Sequence, residues 1–117
     1  MRWIVDASNV IGSRPDGWWR DRAGATRRLI AALEAFGEPV TVVLDAPVEL
    51  DDPRVEIVVA RRRGRDAADD EIVRLLEAAA DPSTLCVVTS DRELADRARA
   101  LGAEVEGAGR FRDRLDR

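Results

Sequence analysis

Four short apolar runs, rich in β-branched residues and each closed or followed by aspartate, constrain this chain more than any other feature. Trp3 to Val5 is stopped by Asp6, and Val40-Thr41-Val42-Val43-Leu44 by Asp45. Val55 to Val59 leads into a turn before Asp66, and Leu85 to Thr89 is followed by Ser90 and Asp91. Runs of this kind suit strands buried on both faces. Between them the apolar period changes to that of a helix. Ala25, Leu29, Ile30, Leu33 and Phe36 mark a helix from about Trp18 to Phe36, with Gly37 as its stop. Ile72, Leu75, Leu76 and Ala79 mark another from about Asp66 to Ala80, ended by Asp81-Pro82. Leu94, Ala98 and Leu101 carry a third helix to Gly102.

Asn9 to Gly17 reads as a polar loop, Ala103 to Glu106 as a short fifth strand, and Arg110 to Arg117 as a last helical turn or frayed tail. Strands alternating with helices predict an α/β fold around a mostly parallel sheet of four to five strands, in a single domain over residues 1–117. One segment strains this scheme. Only ten residues, Asp45 to Arg54, separate the second and third strands, where a parallel crossover usually takes a dozen or more. The preferred reading is a crossover helix shrunk to a loop.

Composition then removes whole classes of chemistry. The sequence has no His, and all 19 of its basic residues are Arg. Imidazole bases, His-dependent nucleophile pairs, Schiff bases and P-loop lysines are therefore excluded. The single Cys, Cys86, makes neither a structural zinc site nor an internal disulfide, and its apolar strand predicts a buried, inert thiol. A net charge of −4 argues against wrapping nucleic acid over the whole surface, though not against a local basic patch. The N-terminus lacks a signal-peptide apolar run and no stretch approaches a membrane span, so a cytoplasmic protein with no membrane partner is expected.

Carboxylates with a hard cation are the chemistry that remains. In open α/β sheets the ligand crevice lies beyond the carboxyl ends of the strands. The sequence sets Asp6, Asp45 and Asp91 there, with Asp66, Asp69 and Asp70 opening the helix after the third strand. Crowded carboxylates repel one another unless a cation neutralises them, and Mg²⁺ or Mn²⁺ is the natural partner. Such an ion can activate water against a phosphodiester.

Each residue also has a local explanation. Asp66, Asp69 and Asp70 suit a helix start, Ser90 or Asp91 a helix cap, and Asp45 a turn. Asp6 is hardest to explain locally, because it closes an apolar strand with no helix evident for it to cap. Asn9 could present its amide to a metal-bound water or a phosphate, or form an Asx turn. Arg61, Arg62, Arg63 and Arg65 read as a phosphate clamp or as a solvated turn. Trp18 and Trp19 could stack on bases, with at least one of them in the core.

Asp6-Ala7-Ser8-Asn9-Val10-Ile11-Gly12 resembles the first motif of NYN-domain proteins, a branch of the PIN-like ribonucleases, and in particular the compact bacterial YacP-like group. Val42-Val43-Leu44-Asp45-Ala46, Asp66-Ala67-Ala68-Asp69-Asp70-Glu71-Ile72 and Val88-Thr89-Ser90-Asp91 fit the same pattern, in order, over nearly the whole chain. The resemblance implies a three-layer α/β/α PIN-like fold and Mg²⁺- or Mn²⁺-dependent endonuclease activity on RNA. It further implies metal-binding acids at Asp6, Asp69 and Asp91, supported by Asn9, Asp66 and Ser90. Asp45, Asp70 and Ser8 are secondary candidates. Two departures stand out: Ala7 where relatives often carry Gly, and the short second crossover.

The alternative is a non-catalytic RNA- or ribosome-associated module that keeps the acidic pocket. Phosphatase or receiver chemistry is set aside for want of a Lys. An adhesion-type site built on Asp6-x-Ser8 is set aside because Val10 stands where the next Ser is needed. RNA is thus the expected partner, while a homodimer and an antitoxin-like protein partner stay open.

Overall fold

The computed structural model describes residues 1–117. Five strands form one all-parallel sheet: β1 (Arg2–Asp6), β2 (Val40–Leu44), β3 (Glu56–Val59), β4 (Leu85–Val88) and β5 (Glu104–Glu106), in the order β3-β2-β1-β4-β5. The chain therefore builds outward from β1 to β3 on one side. It then crosses back and builds outward again through β4 to β5. The order reverses between β1 and β4, and in such folds the crevice opens at that point.

Strand alternation divides the core into two layers, because successive side chains point to opposite faces. Trp3, Val5, Val40, Val42, Leu44, Cys86 and Val88 face one way. They meet α1 (Ala7–Ile11), α2 (Arg22–Phe36) and α5 (Ala108–Leu115). Ile4, Val43, Leu85 and Val87 face the other way, toward α3 (Ala67–Ala78) and α4 (Arg92–Ala100). The result is the expected three-layer α/β/α arrangement. No helix is long and apolar enough to cross a membrane.

The second crossover, residues 45–55, contains no helix, yet β3 pairs parallel to β2 with Val42 opposite Ile57. The shrunken-loop expectation holds. Pro47 and Pro53 oppose helix there, and Val48, Leu50 and Val55 pack the loop onto the core. The Arg54 N–H donates to Glu34 Oε2 at 2.6 Å and Arg27 Nε to the Glu49 carbonyl at 3.0 Å, pinning the loop to α2.

Three elements differ from the sequence expectation. The Asn9–Gly17 loop begins as helix, since α1 starts directly after β1. The second helix starts later than Trp18: a 3-10 turn covers Trp18–Arg20, and Asp21 then caps α2 by accepting from the Gly24 N–H at 3.0 Å. Gly37 ends α2 at φ +76°, a conformation that side-chain-bearing residues rarely adopt. Finally, the C-terminal segment is neither a single turn nor frayed. It forms α5, whose fully buried Phe111 packs against Trp3 and Phe36 with ring centroids 5.1 and 5.6 Å away. The run Arg110 to Arg117 is so charged that Phe111 and Leu115 alone leave too short an apolar stripe to mark a helix.

Candidate active site

Asp6 ends β1 and is 1% exposed. It also caps α1, correcting the expectation that no helix lay near it. Its Oδ1 accepts from the Asn9 backbone N–H at 3.5 Å, and its Oδ2 from Asn9 Nδ2 at 2.9 Å. Asn9 Oδ1 in turn accepts the Ser90 N–H at 2.9 Å. The Asn9 amide thus bridges the ends of β1 and β4 across the switch point, and this fixes which way the amide faces. Ala7, the departure from the family motif, is buried in the core, so its methyl is used in packing.

Asp91 follows β4 and caps α4, accepting the Leu94 N–H at 3.0 Å. Its own N–H donates to Thr89 Oγ1 at 3.1 Å, so the buried Thr89 shapes the turn that carries it. Asp69 stands in the first turn of α3 and is half-buried. Asp66 occupies the N-cap position of α3, but its side chain makes no capping hydrogen bond. That leaves its carboxylate free for other use, contrary to the simple capping explanation.

These residues converge. A cleft of about 190 Å³ is lined by Asp6, Asn9, Asp66, Asp69 and Asp91, and Ser8, Asp45 and Arg65 line it as well. Ser8 Oγ donates to Asp45 Oδ2 at 3.1 Å, holding that acid at the end of β2. The remaining candidates lie outside the cleft. Ser90 is exposed and its hydroxyl accepts the Ala108 N–H of α5 at 3.0 Å, so it anchors a helix. Arg61, Arg62 and Asp70 line a neighbouring cavity of about 320 Å³ together with Arg74, and Arg63 lines neither.

The electrostatics of the cleft are those of uncompensated negative charge. Burial, then the charge of Asp69, pushes the Asp6 carboxyl up from 3.8 to about 6, with Asp45 and Asp91 adding to the effect and the Asn9 N–H opposing it. Asp69 is likewise pushed up to about 6 by burial and then by Asp91, Asp66 and Asp70. Arg97 of α4 works against the latter shift. Sequence reasoning missed Arg97, since only the packing of α4 beside α3 brings its charge near Asp69. Thr89 was missed too, because nothing in its residue type sets it apart from other strand-ending threonines.

The donors are all oxygen, which matches a hard divalent cation. As placed, no three acidic side chains stand close enough to coordinate one ion together. Mg²⁺ commonly binds through one or two carboxylates plus waters, so the donor set fits an ion held partly through water.

A three-layer α/β/α domain with an all-parallel sheet and an acidic cleft at its switch point has solved structural counterparts in the YacP-like group. The chain is similar to Rae1 (YacP) of Bacillus subtilis, with 25% identity and a TM-score of 0.77 over 99% of this chain and 74% of that one. A tryptophan-to-leucine variant of the same protein gives 26% identity and a TM-score of 0.79 over the same shares. No protein-family model matches the sequence, and no curated protein matches it significantly.

Proposed function

We propose that this chain is a PIN-like (NYN) domain acting in the cytoplasm as a Mg²⁺- or Mn²⁺-dependent endoribonuclease. The observation that carries the reading is the pair of carboxyls, Asp6 and Asp69, held near 6 within a cleft that also contains Asp91, Asp45 and Asp66. A fold gains nothing in stability from gathering acids in this way, whereas a cation site needs it. The structural likeness to Rae1 (YacP) and the four sequence motifs support an RNA-related role.

Asp6, Asp69 and Asp91 are the residues that would hold the ion. When bound, it supplies an activated water and neutralises charge on the scissile phosphate. The chain's own groups do the rest. Asn9 fixes the orientation of Asp6 from the β4 side. Arg65 brings positive charge into the cleft beside the acids, while Arg61 and Arg62 extend that charge along the start of α3. The test is cleavage of single-stranded and structured RNA with added Mg²⁺ or Mn²⁺, abolished by chelator and by Asp6→Asn. Intact RNA with both metals would end the proposal.

One observation favours a second reading. Asp6 and Asp91 both serve as helix caps. Caps at both acids, and a cleft whose acids stand too far apart to coordinate one ion three at a time, suit a non-catalytic RNA- or ribosome-associated module. That reading requires RNA binding that survives Asp6→Asn and weakens when Arg61 and Arg62 are neutralised.

A further inference from the structure

A smaller cavity adjoins the acidic cleft, and the chemistry described above does not use it. It has a volume of about 160 Å³ and is lined by Ser8, Ile11, Trp18, Arg22, Thr26 and Asp45. Ser8 and Asp45 line the acidic cleft too, so the two spaces share a wall.

Trp18 and Arg22 line this cavity but not the acidic cleft. Trp18 is half-buried and packed against the core, which holds its ring in place. The Arg22 guanidinium carbon lies 5.2 Å from the Trp18 ring centroid, and Trp19 meets Trp18 edge-on at 5.9 Å. The side nearer the cleft is polar. There Ser8 gives its hydroxyl proton to Asp45, while Thr26, one helical turn beyond Arg22 on α2, gives its own to the Arg22 carbonyl at 3.0 Å. Both hydroxyl oxygens are left as acceptors, and they line the cavity together with Asp45.

Core packing accounts for one part of Trp18. It does not account for an open space between that ring, a guanidinium and a row of acceptors, next to a cleft suited to phosphate chemistry. Planar aromatic groups stack on indole and guanidinium surfaces, and the N–H groups of a nucleobase edge need acceptors.

We propose that this cavity is a base-binding subsite, taking one unpaired nucleobase of an RNA strand against the Trp18–Arg22 wall while a neighbouring phosphate lies in the acidic cleft. The inference rests on the RNA reading above and adds a substrate class to it. A base in a duplex is already stacked and paired and must be extruded at a cost, so the site selects single-stranded RNA.

The experiment compares an octauridylate with an abasic octamer of the same backbone charge, with binding read by fluorescence anisotropy in Ca²⁺, a hard cation that neutralises the acidic cleft, and both strands checked to be uncut. The wild-type chain is expected to bind the base-bearing strand about tenfold more tightly, within the range for stacking one base on an aromatic ring. Trp18→Leu is expected to abolish that preference while leaving abasic binding unchanged. Arg22→Gln, which removes no core packing, is expected to narrow the preference, and it stands in if Trp18→Leu does not fold. Equal wild-type affinity for the two strands, or a preference kept in both variants, overturns the subsite and leaves the RNA reading standing. Failure to bind either strand overturns both.

Discussion

Replacing Asp6 by Asn should make the metal-free protein more stable at neutral pH, although it alters a helix cap and one of two hydrogen bonds from Asn9. The Asp6 carboxyl is raised from 3.8 to about 6. That is roughly two pKa units at ~1.36 kcal/mol each, so ionised Asp6 costs the native state about 3 kcal/mol above pH 6. The sign follows from proton counting. Between pH 4 and 6 the native state binds more protons than the unfolded chain, so stability is fully present below about pH 4 and is lost as pH rises through 6. Asn keeps the geometry, because it caps helices as well as Asp does, and one of its amide atoms can still accept from Asn9. Its second amide atom faces Asn9 less favourably, at ~1 kcal/mol.

The expected net gain is therefore roughly 2 kcal/mol at pH 7.5, or about 8 °C in Tm for a domain of this size. It should shrink toward zero or reverse at pH 4. Urea denaturation of both proteins in chelator, at the two pH values, measures it. Added Mn²⁺ at about ten times its Kd should then stabilise the wild type by ~1.4 kcal/mol and leave Asp6→Asn unmoved. A variant less stable than wild type at pH 7.5 in chelator would refute the reasoning: Asp6 would then be a net structural cap, and its charge would not be a cost awaiting a cation.

Phe111→Ala should cost about 3–5 kcal/mol, because the ring is fully buried between Trp3 and Phe36. A loss below about 1 kcal/mol in guanidinium denaturation would mean that α5 is not docked as described. Ser90→Ala strands the Ala108 N–H and should lower stability by ~1 kcal/mol, with faster amide exchange across α5. Ser90→Thr keeps the hydroxyl and should restore both readings. Burial pushes the Cys86 thiol up to about 11, so native protein at pH 8 should react with a thiol reagent only as fast as it unfolds. Rapid labelling of folded protein would contradict the buried placement of β4.

Much of the architecture follows directly from sequence pattern. The β-branched runs of β1, β2 and β4 carry no polar face, so a sheet covered on both sides buries them, which is the usual setting of parallel strands. Aspartates at the ends of such strands lie on one edge wherever the sheet is parallel. This places Asp6 and Asp91 on the edge where the start of α3 brings Asp69, and the resemblance to the PIN-like motifs singles out the same three acids. The Pro-rich second crossover could be recognised for the same kind of local reason.

Tertiary structure decided the rest. Whether Asp6 caps a helix depends on how sharply the chain turns after β1, and five residues of helix leave too weak a periodic signal to read. Ser90 points to α5, and not into the cleft, because α5 docks beside β4 through the buried Ala108 and Phe111. Strand order, which puts β4 beside β1 and so joins Asn9 to Ser90, is a choice among topologies that no local pattern encodes. The sequence thus determined which chemistry is available and on which edge it lies. Packing determined which of those side chains face one another, since burial and charge interaction depend on distances that only the folded chain defines.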